Sequence, residues 1–361
     1  MAHRSVVILV ALALVAIGCA SSKSPEPPST LASVPPTTTG LLPSGVPTEG
    51  ARPPADHLPP AAEPGRAPAQ TLTVPGRQVA VGDAPEGVVV DALTRTVAVA
   101  KRNPNELVLI NADSGGVIGR VPLPGSVRHL QLAKPGGPVL VPVESANVLV
   151  RVELPSGLVE PQILTGTLPH DASEAPNATV FVANEHGGTV TAIRGGAIVK
   201  VFTDSVQPAG LAAVGNSMGL LDVRKNDLTI YDTDSLSIVG STPAGDGPTH
   251  LVADRHGRMI ATDTRGNAVR VFTPQPSPAQ VGLVGQVGNP YGIAYDPVRD
   301  RLWVASSGTN QVVGYDMTDA IPREVARIAT VQNPYTLGVD DTTGRLFIAG
   351  VTTGVVQIVD P

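Results

Sequence analysis

From about Thr71 onward the chain alternates short runs of Val, Leu and Ile with clusters of Gly, Asn, Asp and Pro. Runs of this length bounded by turn residues predict β-strands joined by tight turns, with no long amphipathic helix between them. Self-comparison exposes a period. The segment "ASSGTNQVVGYD" (305–316) has relatives in "AKRNPNELVLIN", "PVESANVLVRVE", "ANEHGGTVTAIR", "DVRKNDLTIYD", "TDTRGNAVRVF" and "AGVTTGVVQIVD". In each, a residue suited to a left-handed backbone angle precedes a strand: Asn105, Asn147, Gly188, Asn226, Asn267, Asn310 and Gly354. Successive gaps are 42, 41, 38, 41, 43 and 44 residues. A hairpin turn needing φ > 0 explains why only Asn and Gly occupy these places.

A second marker shares the period and opens each unit: Pro85-Glu-Gly87, Arg128-His129, Pro169-His-Asp171, Pro208-Ala-Gly210, Pro248-Thr-His250, Pro290-Tyr-Gly292 and Pro334-Tyr-Thr336. Several of the strands that follow end in Asp and a turn, at Asp91, Asp254, Asp296 and Asp340. Units of ~40 residues carrying four strands are the signature of a propeller blade. The fold expected is therefore all-β, a seven-bladed β-propeller. The chain runs out after the third strand of blade seven, and "RQVAV" (77–81) aligns with the fourth strands of other blades. This N-terminal strand is expected to complete the last blade and close the ring. Phe181, Trp303 and Phe347 fall at one repeat position and are expected to pack between neighbouring sheets.

Segments such as "VFVANEHGGTVTAI" (180–193) and "LWVASSGTNQVVGYD" (302–316) resemble the repeat of the YVTN-family β-propellers over roughly residues 75–361. The resemblance implies the propeller fold and leaves the activity open. The family includes surface and periplasmic proteins, and relatives of the same fold include lactonases and a streptogramin lyase.

The region before the repeats divides at the single cysteine. Residues 1–18 read as a lipoprotein signal peptide: Arg4 gives a positive start and Val6 to Ile17 an apolar run. Twelve residues make ~18 Å of helix, short of the ~30 Å hydrocarbon core of a membrane. "AIGC" resembles a lipobox, with Ala16 where Leu is usual, so Cys19 is the expected lipidation site. Residues 19–70 hold 13 prolines among Ser, Thr and Ala and are expected to form a disordered tether. The propeller proper is assigned 71–361. These features imply export and a lipid anchor on the outer face of the cytoplasmic membrane or another envelope layer.

Net charge is −6 with no basic cluster, which argues against a nucleic-acid partner. With one cysteine, no intrachain disulfide can form. "GNSMG" (215–219) matches the nucleophile-elbow pattern but falls in a strand–strand turn, and "DSGG" (113–116), similar to a serine-protease nucleophile segment, falls in another. "NAT" (177–179) is a sequon in form only. Zinc, EF-hand, phosphate-loop and dinucleotide spacings are absent.

The candidate site is the top rim of the axial channel, where the innermost strands begin. The markers place Glu86, Arg128, His129, His170, Asp171, Thr249, His250, Tyr291 and Tyr335 there. The ends of the second strands add Lys101, Asn184, Asp222, Asp263 and Ser306. A concave polar site on a rigid scaffold is a binding site by default. The function expected is non-enzymatic: a monomeric envelope protein binding or scaffolding a protein, glycan or small ligand through its top face. The alternative is an extracytoplasmic hydrolase or lyase, lactonase-like or streptogramin-lyase-like. It would use His129, His170 or His250 as acid, base or metal ligand. No cofactor is required by the first reading; a divalent metal at the channel mouth is what the second would allow. The expectation for the three histidines is that they wet the rim without meeting.

Overall fold

The computed structural model describes residues 45–286 and 288–361. Cys19, the signal peptide and the first part of the tether lie outside the described residues. Seven antiparallel sheets form seven blades. Blade one holds Val88–Asp91, Thr96–Lys101, Glu106–Asn111 and Val117–Pro122 from the axis outward. Blades two to six open with Gln131–Leu132, Pro169–Glu174, Pro208–Val214, Pro248–Ala253 and Pro290–Asp296. Blade seven combines Pro334–Val339, Leu346–Gly350 and Val355–Val359 with Arg77–Ala80, which pairs antiparallel with Val355–Val359. The N-terminal strand therefore closes the ring, as the period required.

The aromatic column packs blade against blade. Phe181 joins Leu211, Met218 and Tyr231 of blade four, and Trp303 joins Leu337 and Ile348 of blade seven. Phe347 joins Val97 and Val108 of blade one. All three are essentially fully buried, so each seam is sealed by one large side chain. The turn column also holds, with Asn147, Asn226, Asn267, Asn310, Gly188 and Gly354 all at positive φ. Blade one departs: Asn103, with φ 51°, takes the left-handed position that the sequence pattern gave to Asn105.

The marker prolines start a β-bulge. In blades three to seven the register between the first and second strands shifts just after the proline, for instance between Pro169 and Asp171. A bulge inserts an unpaired residue and re-aims its side chain. The marker glycines answer a different need. A Cβ on Gly292 would stand 2.2 Å from the Tyr335 carbonyl oxygen, because innermost strands crowd together at the hub.

The boundary of the tether moves. The sequence reading ended it at residue 70, yet residues 45–70 are docked on the ring. Thr48–Glu49 adds a parallel fifth strand outside Ala197–Phe202 of blade three. The chain then arcs over the top face. Arg224 of blade four donates to the carbonyls of Pro59 and Leu58, and Arg265 of blade five to that of Pro60. Asn310 and Gln332 donate to the carbonyls of Pro68 and Ala67. A proline-rich extended chain cannot pair its own carbonyls and has little conformational entropy to lose, so propeller side chains can hold it.

Candidate functional site

The marker columns form two tiers around the axis. Read in register, the residue after the marker's first position gives Glu86, Arg128, His170, Thr249, Tyr291 and Tyr335; the next gives His129, Asp171, His250 and Thr336. The first tier, Thr249 apart, belongs to a charged cluster at the top of the axis, termed the upper chamber below, and the second lies one step down the channel. Below it opens a cavity of about 360 Å³ lined by Val88–Val90, Leu211 and Leu251, with His129 and His250 at its upper end.

The three histidines are closer than separate rim residues, with His129 in ring contact with both others, but they share no common centre. The His129 ring lies 5.2 Å from that of His170 and 4.3 Å from that of His250. Aromatic contacts continue to Tyr291 at 4.4 Å from His250, and on to Tyr335 at 5.7 Å. His129 stacks on His170 across the tiers and meets His250 at a tilt within the second, since His170 is a bulge residue whereas His250 sits one place later, behind Thr249. They therefore do not form a three-histidine metal centre.

What surrounds each ring differs. His170 Nδ1 faces Glu144 Oε1 at 3.4 Å and Glu185 Oε2 at 3.3 Å. Burial pushes its pKa down, but the charge of Glu185 and hydrogen bonding to Glu144 outweigh it and lift the pKa to about 10. Glu185 is likewise penalised by burial, yet His170, Arg128 and Gln207 hold it well below the usual carboxylate range. For Glu144, too, burial is outweighed, by His170 and Arg128, and its pKa is lowered. Glu86 stands the other way: burial dominates and raises its carboxyl, although Arg102 pairs with it at 2.7 Å. Around Arg128, burial opposes the charge, and Glu144, Glu185 and Glu86 more than restore it.

His250 has no such company. It is buried and neither ring nitrogen has a hydrogen-bond partner. Burial first, then the charges of His129 and His170, push its pKa well below 6.5. It is a neutral imidazole with free valences at the junction of chamber and cavity. Tyr291, also buried, has its phenol pushed up by burial and by Glu86.

Several residues expected at the site are fasteners instead. Asp222 accepts from the backbone amides of Val206, Gln207, Arg224 and Lys225. Asp263 accepts from those of Asp246, Gly247 and Gly266 and from Arg270. Asn184 donates to the hydroxyls of Thr189 and Thr191. The two aspartates fold back to satisfy turn amides, which is what short polar residues do at strand ends, and Asn184 ties the hydroxyls of the next strand. Lys101 pairs with Glu106 at 3.7 Å, Ser306 accepts from Gln286, and Thr249 bonds the hydroxyls of Thr262 and Thr264. Asp171, nearly inaccessible, accepts from Gln131 Nε2 and from the amides of Leu211 and Ala172, tying blades two, three and four. His129 Nδ1 stands 3.4 Å from it.

Sequence reasoning missed Glu144 and Glu185. Their signal was present one place beyond the second-strand ends: that column reads Arg102, Glu144 and Glu185 in blades one to three. The sequence reading stopped at the preceding column, which faces the turns.

Fold and site together define a seven-bladed β-propeller with a cluster of buried and half-buried charges at the top of its axis. Hydrazine synthase from Kuenenia stuttgartiensis has a similar fold, with TM-score 0.66 and 15% identity, over 78% of this chain and 96% of that one. A catalytically inactive His→Ala variant of virginiamycin B lyase from Staphylococcus aureus with quinupristin aligns with TM-score 0.63 and 17% identity, over 78% and 97%. The Cps50 (Swd1) β-propeller domain of Myceliophteria thermophila gives 0.67 and 11%, over 79% and 100%. At these identities the likeness is one of fold. No protein-family model matches the chain, and no curated protein is a significant match.

Proposed function

We propose that this protein is an exported binding propeller, anchored through Cys19, that takes a small polar ligand or a polar tip of a larger partner in the upper chamber. The observation that supports it is the ring of Glu86, Glu144 and Glu185 against Arg102, Arg128 and His170, with Tyr291 and Tyr335 as apolar walls. Buried and half-buried charges of both signs, held at the strand ends of a closed ring, are pre-organised to match a ligand that carries donors and acceptors together. A chain of similar fold occurs in the mitotic checkpoint complex, which is compatible with partner binding.

Thermal-shift screening with amino acids, short peptides and oligosaccharides tests the reading. A stabilising compound should lose its effect in Arg128→Met and Tyr291→Ala. Compounds that stabilise wild type and both variants equally would place binding elsewhere. Cys19→Ala should move the protein from the membrane fraction to the soluble one; unchanged fractionation would remove the anchor.

A second reading has one observation in its favour. The unpartnered His250 leaves both ring nitrogens free to exchange a proton with a bound molecule, beside a ring of charges. A hydrolase or lyase activity would vanish in His250→Gln while ligand binding persisted.

A further inference from the structure

We propose that Glu144, His170 and Glu185 form a binding site for one divalent transition-metal ion of the zinc type. The proposal rests on the upper chamber being the working site and specifies what completes it. Each of these residues offers one donor atom, all three donors lie within 4.8 Å of one another, and all three residues are buried. They come from three separate strand ends: Glu144 just past the second strand of blade two, His170 in the bulge of blade three, and Glu185 just past that blade's second strand.

The spacing is informative. Charge-assisted N–H···O bonds run ~2.7–2.9 Å, whereas here the one Nδ1 faces two carboxylates at 3.4 and 3.3 Å. One N–H cannot point at both oxygens. Donors placed ~2.0–2.1 Å from a tetrahedral ion stand ~3.3–3.4 Å apart, which is the separation found for both histidine–carboxylate pairs. The ligands are also held from behind, as metal ligands usually are. Gln207 Nε2 donates to Glu185 Oε1 at 2.8 Å, and Ser126 Oγ lies 3.5 Å from Glu144 Oε2, in each case the oxygen turned away from His170.

An independent observation points to an occupant at this end of the axis. His250, 4% exposed, leaves both ring nitrogens without a partner, one ring away from His170 through His129. A three-donor ion leaves a fourth position for water or for a ligand atom. The ion would thus turn the charged ring from a passive lining into a centre that recognises a carboxylate, carbonyl or hydroxyl.

The test uses the full chain, stripped with chelator and reloaded with Zn²⁺ or Co²⁺ alone. One equivalent should bind, and the cobalt form should show the intense visible absorption of a tetrahedral site. Glu144→Gln and Glu185→Gln should each weaken metal binding at least ~10-fold. Two results overturn the site: wild type that retains no stoichiometric metal and shows no cobalt spectrum, or variants that bind as tightly as wild type. The wild-type spectrum decides the matter even where a variant fails to fold. Because no organic ligand is present, loss of the metal site and loss of the binding reading are separate outcomes.

Discussion

His129 and His250, carried on the opening stretches of blades two and five, bring their rings within 4.3 Å at the floor of the upper chamber. His250 is kept neutral there by burial, with His129 and His170 adding repulsion and the Tyr291 ring covering another side. Its folded pKa lies below the unfolded value of 6.5, so its contribution to stability is full above pH 6.5. As pH falls, the unfolded chain takes up a proton the native state refuses. Stability should then drop by up to ~1.4 kcal/mol per pH unit below that point. His170 works in another window: its pKa is raised to about 10, so its contribution is complete below 6.5 and lost as pH rises through 10. Melting curves between about pH 7 and 5 should fall less steeply for His250→Gln than for wild type. Equal slopes would refute a neutral buried His250.

The ring seam gives a second prediction. Arg77–Ala80 supplies the last strand of blade seven, and Arg95 of blade one grips Asp340 of blade seven through two 2.7 Å contacts. Deleting residues 71–82 should lower the melting midpoint on the order of 10 °C or more and broaden the transition. Arg95→Met leaves the inaccessible Asp340 carboxylate unpaired and should cost about 2–3 kcal/mol in denaturant unfolding. An unchanged midpoint in the deletion would disprove closure.

At the hub, Gly292→Ala drives a methyl into the Tyr335 carbonyl and the Thr336 Cα, 2.2 and 2.7 Å from the new carbon. The expected cost is about 1–3 kcal/mol. Gly285→Ala is the control, since nothing lies within 4 Å of its added carbon, and it should shift stability by less than ~0.5 kcal/mol.

The collar formed by residues 45–70 should be separable from ring stability. Arg224→Ala with Arg265→Ala removes the donors to Pro59, Leu58 and Pro60. Limited proteolysis should then cut between residues 55 and 62 faster, while the melting midpoint moves by no more than ~2 °C. Protection equal to wild type would mean that other contacts hold the segment.

Much of this molecule is written in its repeats. The turn residues, the marker prolines and the Phe181–Trp303–Phe347 column recur because each blade solves the same local problem, and a local solution leaves a periodic trace. The docking of residues 45–70 left none. Its composition reads as a tether because nothing in Pro59 or Pro60 foretells donors on Arg224 and Arg265, more than 160 residues away in sequence. Asp222 and Asp263 misled for a related reason: a carboxylate at a strand end faces either the axis or its own turn, and only the amide geometry decides.

Chain order alone determined seven blades, their closure and which segments begin at the rim, because strand period, turn chemistry and hydrophobic alternation are properties of neighbours in sequence. Tertiary structure decided which rim residues form a site. The bulge after each proline splits adjacent residues into two tiers, which sets His170 between Glu144 and Glu185 and leaves His250 below without a partner. That choice depends on how innermost strands from different blades register around one axis, and no single repeat carries that information.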